Sequence, residues 1–229
     1  MRVVDIWRFP VKSLGGEQLT RAEVGPFGID GDRKWGVRDV ATGKILTARR
    51  EPRLLFGSAC LGDDGGVELT LPDGHDSVSD WLGYEAELVR ASAEERGTYE
   101  NPLDFEHDTE WIEWQGPAGV FHDSTRTRVS LVSLETLGNW DRRRFRTNVV
   151  VDSGGEDDLV GRAIRVGTVE ATVAKLVDRC VMTTRPQPGI ERDLDVLRAI
   201  NKQRGGNLAI GCVITQPGVI AIGDEVVAL

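Results

Sequence analysis

The chain has 229 residues, of which 40% are hydrophobic and 28% charged, and a formal net charge of −9. This is the balance of a folded globular protein of one large domain or two small ones, and the acidic excess argues against non-specific nucleic-acid binding, which needs a basic surface. No apolar run approaches the roughly 18 residues of a membrane span, and three widely spaced cysteines, Cys60, Cys180 and Cys212, with no CxxC pair, argue against a disulfide framework or a local zinc ribbon and point to a reducing, cytoplasmic setting.

In chain order the sequence reads as short strands with turn punctuation. The first apolar run is broken by Asp5 and Arg8, so it is no signal peptide. Val3, Ile6, Trp7 and Phe9 begin a strand, and Pro10 ends its regular pairing. Leu14-Gly-Gly16 is a turn, residues 19–24 alternate as a half-buried strand does, and Gly25-Pro-Phe-Gly28 and Gly31-Asp32 turn the chain again. Residues 34–39 and 44–48 predict a hairpin around Thr42-Gly43, and residues 54–61 and 67–71 a second around Asp63-Asp-Gly-Gly66. Residues 77–82 predict a short helix stopped by Gly83, followed by a strand over 86–90. Residues 93–117 are acidic and irregular, with Trp111 and Trp114 between Pro102 and Pro117. They read as a long connection with packed aromatics, with the domain boundary near its start, giving domains 1–92 and 93–229.

Beyond the connection, Ser133 is placed to cap a helix with Glu135 in its first turn. Strands are expected over 148–152, 160–166 and 169–177. Asp193 is expected to cap a helix running to about Arg204, with Leu194, Leu197 and Ile200 on one face and Gly205 as its stop. Residues 208–214, 219–222 and 225–229 finish the chain as strands, with Pro217-Gly218 turning it. In that alternation Cys212 shares a face with Leu208, Ile210 and Ile214 and reads as a core residue, and Cys60 at the end of an apolar strand reads the same way. A few helices among so many short strands predict a mainly β fold of barrel or sandwich type.

The stretch from Leu176 to Gly189 sets one thiol, Cys180, between Arg179 and Arg185, followed by Thr183, Thr184 and a Pro186-Gln-Pro-Gly189 turn. A nearby cation favours the thiolate, which is both nucleophile and metal ligand; Asp178 works against it. A buried structural cysteine is the alternative. Four basic groups accompany it: Lys12-Ser13, Arg33 after Gly31-Asp32, Arg126-Thr-Arg128, and residues 142–146 leading into Asn148. All lie at turns or element ends, where exposed side chains are expected. Singly each reads as a solvated surface charge. Together, in an acidic chain, they fit one anionic ligand held from both halves. Neither GxxxxGK[ST] nor a strand-borne GxGxxG occurs, and no ligand spacing relates His75, His107 and His122.

In this order, Phe9-Pro-Val-Lys-Ser13, Gly31-Asp-Arg33, Thr47-Ala-Arg-Arg-Glu-Pro-Arg53, Phe145-Arg-Thr-Asn148, Arg179-Cys180 with Thr183-Thr184, and residues 218–224 resemble the MOSC (molybdenum-cofactor sulfurase C-terminal-like) family over nearly the whole chain. The pattern is most similar to the two-part group, an N-terminal β-barrel domain followed by a β-barrel MOSC domain, with amidoxime-reducing members. The resemblance implies that Cys180 is the molybdenum ligand and catalytic residue. It implies that Lys12, Ser13 and Arg33 hold the pterin of a molybdenum cofactor, that Arg146, Asn148 and Arg179 occupy cofactor-binding positions, and that Arg126, Thr127 and Arg128 lie near its phosphate. Pyridoxal phosphate binding is a further association of the family. The implied reaction is two-electron reduction of an N–OH group to N–H on a small-molecule substrate. The three cysteines cannot hold a plant-type cluster, which needs four, so a separate ferredoxin or reductase is implied as electron donor. A non-redox carrier of the cofactor, or of sulfur on Cys180, is the alternative. Two positions depart from the family pattern: Asp178 replaces a serine two residues before the cysteine, and Thr147 replaces the proline of an FRPN run. Residues 185–189 and the helix after them are expected to wall the metal site.

Overall fold

β1 (Val3–Arg8) opens the chain in the computed structural model, which describes residues 1–94, 96–102 and 110–229. A bulge between Val3 and Asp5 lets Val3 and Ile6, three residues apart, enter the same buried cluster. There follow β2 (Glu17–Leu19), β3 (Arg21–Gly25), β4 (Gly28–Ile29) and β5 (Trp35–Asp39). Next come β6 (Ser58–Leu61), β7 (Val67–Thr70), helix α1 (Val78–Leu82) and β8 (Ala86–Arg90). β9 (Arg96–Pro102) and β10 (Trp111–Ala118) lead into β11 (Val129–Ser133), α2 (Leu134–Leu137) and β12 (Val149–Val151). The chain ends with β13 (Ala163–Val166), β14 (Val169–Asp178), α3 (Asp195–Arg204), β15 (Asn207–Gln216), β16 (Gly218–Ala221) and β17 (Val226–Ala228).

The largest sheet has the order β17-β13-β14-β15-β11-β12-β1-β2. β11 and β12 run parallel, and its other ladders are antiparallel. β3 and β4 join β16 in a second sheet. Strands from the start of the chain are therefore built into sheets with strands from its end. Trp7 N donates to Asn148 O at 2.7 Å, which pins the segment bearing Lys12 against the one bearing Arg146. Every residue of β11 and β12 is buried, because the sheet is covered on both faces. Val129, Leu131, Ile210 and Cys212 fill one core, while Val132, Val150 and Leu208 meet Val196 and Ile200 of α3 in another. Two smaller ladders, β5–β8 and β6–β7, contribute to a separate cluster with Val11, Leu14, Val37 and Leu54, and the β9–β10 ladder packs Tyr99 and Trp114 with Ile45, Ala91 and Phe121. The fold is mostly β, as the sequence predicts.

Local signals explain most boundaries. Ser77 Oγ accepts from Asp80 N at 3.1 Å and Gly83 takes the left-handed conformation, closing α1 at both ends. Ser133 Oγ accepts from Thr136 N at 3.0 Å in the same way at α2. Six expectations are corrected. Residues 96–102 and 111–118 form the antiparallel β9–β10 ladder instead of an irregular connection: Tyr99 stacks on Trp114 with centroids 5.3 Å apart, and Lys44 neutralises Glu100 and Glu113, two of the acids that made the stretch look unstructured. Residues 45–48 are all buried, which a half-exposed strand cannot be; they touch β5 by one bridge, Arg38 to Ile45, and β5 pairs with β8 instead. Residues 52–56 form a 3-10 turn begun by Pro52, before β6. Ala209 has φ 79, and this break in the alternation of β15 sends Leu208 to a different core from Ile210 and Cys212. On α3 the buried face is Val196 and Ile200, with Leu194 43% exposed. Cys60 is only half-buried, its Sγ 3.9 Å from Glu68 Oε2.

Candidate functional site

A cavity of about 480 Å³ brings together side chains from both halves of the sequence: Lys12, Ser13 and Arg33 from the first, and Thr127, Arg146, Asn148, Arg179 and Cys180 from the second. Ser13 (φ 72), Arg33 (φ 51) and Arg146 (φ 51) have left-handed backbone; among the described non-glycine residues only Asp73 and Ala209 share it. Each such residue costs on the order of 1–3 kcal/mol, and such strain clusters at functional sites. Here tertiary bonds hold it. Arg33 N donates to Phe9 O at 2.7 Å, and Ala48 N donates to Ser13 Oγ at 2.9 Å. Arg33 Nη2 donates to Arg146 O at 2.9 Å, Arg146 Nη1 donates to Leu14 O, and both guanidiniums lie against Phe9, at 5.0 and 4.4 Å from its ring centroid.

Cys180 follows the end of β14 and opens a 3-10 turn over Val181–Thr184. Its carbonyl accepts from Thr183 N at 3.1 Å and from Thr183 Oγ1 at 3.0 Å, and Thr184 Oγ1 turns back to Val181 O at 2.8 Å. The two threonine hydroxyls thus hold the turn. Arg179 holds the same place from behind: Nε donates to Leu208 O at 2.8 Å, Nη1 to Phe145 O at 2.8 Å and Nη2 to Thr147 Oγ1 at 3.5 Å. Arg144 donates to Thr183 O and Glu191 O, and Arg143 to Pro188 O, so the loop of residues 142–146 fastens the wall after Cys180. Asp178 is paired with Lys175, which draws the charge of that carboxylate toward a cation of its own strand.

The cavity is strongly cationic. Burial pushes Arg146 down to about 9 and Arg179 down to about 10, and both remain charged at neutral pH. Burial also lowers Lys12, although Asp123 opposes it. His122, 5% exposed, is pushed down to about 3 by burial and then by Arg33, so its imidazole is neutral at physiological pH. Burial would raise the Asp123 carboxyl, but Lys12 and Arg49 more than offset this and hold it well below the usual range. Asp123 lines the cavity with its side chain 59% exposed.

Several residues do not sit where their position in the sequence implies. Lys12 is 3% exposed and the Arg33 side chain 14%, so neither is a solvated turn residue. Asn148 reaches the lining, but its amide is occupied: Oδ1 accepts from Ser130 N and Oγ, and Nδ2 donates to Trp7 O. Thr127 lines the cavity whereas its neighbours do not; Arg126 donates to Ala174 O, and Arg128 lies 5.9 Å from the Phe27 ring. Arg142 lies over Trp7 instead. Arg49, His122 and Asp123 line the cavity and were not singled out by spacing; the Thr47-Ala-Arg49 run was a usable signal for the first. His75 pairs with Asp80 at the surface, and His107 lies outside the described residues. Among the described residues no group of three or more His, Cys, Asp and Glu side chains could hold a metal ion, and no helix is long and apolar enough to cross a membrane.

Among the described residues, five buried polar atoms of the lining have no hydrogen-bond partner: Thr127 Oγ1, Arg146 Nη2, His122 Nε2, Thr47 Oγ1 and Arg49 Nε. Each costs about 1–3 kcal/mol if left so, and orphans of this kind call for a ligand or water. A Cβ at Gly211 would collide with Thr127 Oγ1, so only glycine there leaves the hydroxyl its place. Uncompensated guanidiniums, orphaned donors and one soft thiol form a donor set that fits a phosphorylated pterin whose metal takes a thiolate.

The profile of the MOSC N-terminal beta barrel domain matches residues 1–101, and that of the MOSC domain matches residues 120–227. The chain is similar to the molybdenum cofactor sulfurase of Bombyx mori, 22% identical over 271 aligned positions that take in 96% of this chain and 32% of that protein. The chain thus spans about a third of the sulfurase's length. It is also similar to mitochondrial amidoxime-reducing component 1 of Mus musculus, 24% identical over 281 positions covering 99% of this chain and 82% of that one. Among solved structures, the YUAD protein from Bacillus subtilis aligns with a TM-score of 0.47 and 13% identity, covering 98% of this chain and 93% of that one. Pyridoxal phosphate has no support in these relatives or in the cavity, where the lining lysines Lys12 and Lys175 are held by Asp123 and Asp178.

Proposed function

The chain belongs to the MOSC family, an N-terminal MOSC β-barrel domain preceding a MOSC domain, and from that premise we propose that it binds the molybdenum cofactor, with Cys180 as the metal ligand, and reduces N-hydroxylated compounds. The observation that carries the reading is the convergence of Cys180 with strained, buried basic residues from both halves on one cavity. Lys12, Arg33 and Arg146 supply positive charge, Thr127 and Ser13 supply hydroxyls, and Arg179 positions Cys180 from behind. Bound there, the cofactor supplies the two-electron exchange by which N–OH, with two electrons and two protons, becomes N–H and water. The wall of residues 183–191, fastened by Arg143 and Arg144, limits access to the thiol.

Within these 229 residues three cysteines cannot hold a plant-type cluster and no dinucleotide fingerprint occurs, so the site takes its electrons from a ferredoxin or reductase unit outside them. The free state of Cys60, Cys180 and Cys212 favours a reducing compartment such as the cytoplasm. Similarity to the silkworm sulfurase favours a second reading, in which the chain carries the cofactor, or sulfur on Cys180, without redox turnover. Benzamidoxime offered to cofactor-loaded protein with an artificial reductant separates the two. Turnover supports the reductase, and loaded protein that stays inert supports the carrier. Turnover with NADH and no second protein contradicts the separate donor.

A further inference from the structure

Two carboxylates, which an anion site has no need of, stand in the cationic lining: Asp178, paired with Lys175 of its own strand, and Asp123, which is bonded to cations from elsewhere in the chain. Asp123 Oδ1 accepts from Lys12 Nζ at 2.9 Å and from Arg49 Nη2 at 3.3 Å. Its Oδ2 accepts no hydrogen bond among the described residues, although the side chain is 59% exposed to the cavity. The two cations cannot swing over to cover it. Lys12 Nζ also donates to Phe121 O at 3.0 Å, and Arg49 Nη1 donates to Asn101 Oδ1 at 2.6 Å. Arg146 and Arg179 differ: their hydrogen-bond partners are carbonyls and a hydroxyl, so neither guanidinium is bonded to a carboxylate. The lining therefore offers two chemistries, uncompensated cations for an anion and a fixed, ionised acceptor for an N–H donor. A phosphate would be repelled by the second.

We propose that Asp123 reads the aminopyrimidinone edge of a pterin, its free Oδ2 accepting from the exocyclic amino group, while the guanidiniums and Thr127 take the phosphate. This rests on reading the cavity as a molybdenum-cofactor site. The ligand class it selects carries a 2-amino group beside a ring N–H, and it discriminates against a carbonyl at the same ring position, whose oxygen would face a carboxylate oxygen.

The test uses apoprotein and two probes of the same shape, pterin and lumazine, which differ in having an amino group or an oxygen at position 2. Their intrinsic fluorescence reports binding. Wild-type protein is expected to prefer pterin by roughly ten- to a hundredfold, the range of a charge-assisted hydrogen bond. Asp123→Asn replaces one carboxylate oxygen with an N–H₂ donor and is expected to abolish or invert the preference while leaving phosphate-induced thermal stabilisation in place. Equal affinity of the wild type for the two probes, failure of the wild type to bind pterin, or a preference unchanged in Asp123→Asn overturns the assignment. The wild-type ratio needs no variant to fold. Wild-type protein from a cofactor-competent host that contains neither molybdenum nor pterin removes the underlying reading. Wild-type protein that contains both, beside an Asp123→Asn protein with equal content and an unchanged probe ratio, removes only the role of Asp123.

Discussion

Replacing His122 with glutamine should flatten the acid side of the stability profile. The imidazole is 5% exposed, and Arg33, Asp32, Arg128 and Lys12 are the charges that act on it. Burial and the three cations outweigh Asp32 and push it from the ordinary 6.5 to about 3. Between those values the unfolded chain binds a proton that the folded protein refuses, so stability is complete above about pH 6.5 and falls as pH drops toward 3. At about 1.36 kcal/mol per pH unit, a buffer 1.5 units below the unfolded value removes about 2 kcal/mol. At about 2–4 °C per kcal/mol for a chain of this size, the melting temperature should fall by about 4–8 °C from this group alone. Asp123 does not interfere: a carboxyl held below its ordinary 3.8 contributes stability that is lost only at more acid pH. Urea unfolding of wild type and His122→Gln at pH 7.5 and 5.0 isolates the effect, because every other titrating group is common to both. Equal losses in the two proteins would refute the neutral, buried assignment.

Lys12→Ala should lower both cofactor retention and stability, the latter by about 1–3 kcal/mol, because it strips hydrogen bonds from Phe121 O and Asp123 at a 3% exposed position; a melt within 1 °C of wild type would count against it. Cys212→Ser puts a hydroxyl into the Val129, Leu131 and Ile210 core, where burial pushes the native thiol up to about 12. It should cost about 1–3 kcal/mol without changing the metal spectrum of the folded fraction; an altered spectrum would place Cys212 at the site.

Strands of the large sheet such as β12 and β15 were legible because they are aliphatic runs, and the helix ends because Ser77, Gly83, Ser133 and Gly205 carry local capping chemistry. The β9–β10 ladder was not, since its acids are paired by Lys44 and its aromatics stack only across the strands. The face of Leu208 depends on one left-handed backbone at Ala209, which no side-chain alternation announces. Lys12, Arg33, Arg146 and Cys180, which line one cavity, were legible as candidates because each sits in a recognisable run. Asp123 and His122 become cavity residues only when β1 pairs with β12 and the chain past Phe121 closes on Lys12. Arg126 and Arg128 show the converse: basic residues beside a site residue whose side chains leave for Ala174 O and Phe27.

Metal and pterin analysis of wild type and Cys180→Ser, both made in a cofactor-competent host, tests the central claim most directly. The wild type should contain about one molybdenum per chain, release a fluorescent pterin on oxidation and show sulfur-to-metal absorption. In Cys180→Ser a hard hydroxyl replaces the soft thiolate, so that absorption and turnover should be lost, while pterin held by Lys12, Arg33, Thr127 and Arg146 stays bound. A Cys180→Ser protein with the spectrum and turnover of the wild type would contradict the assignment of Cys180 as the metal ligand.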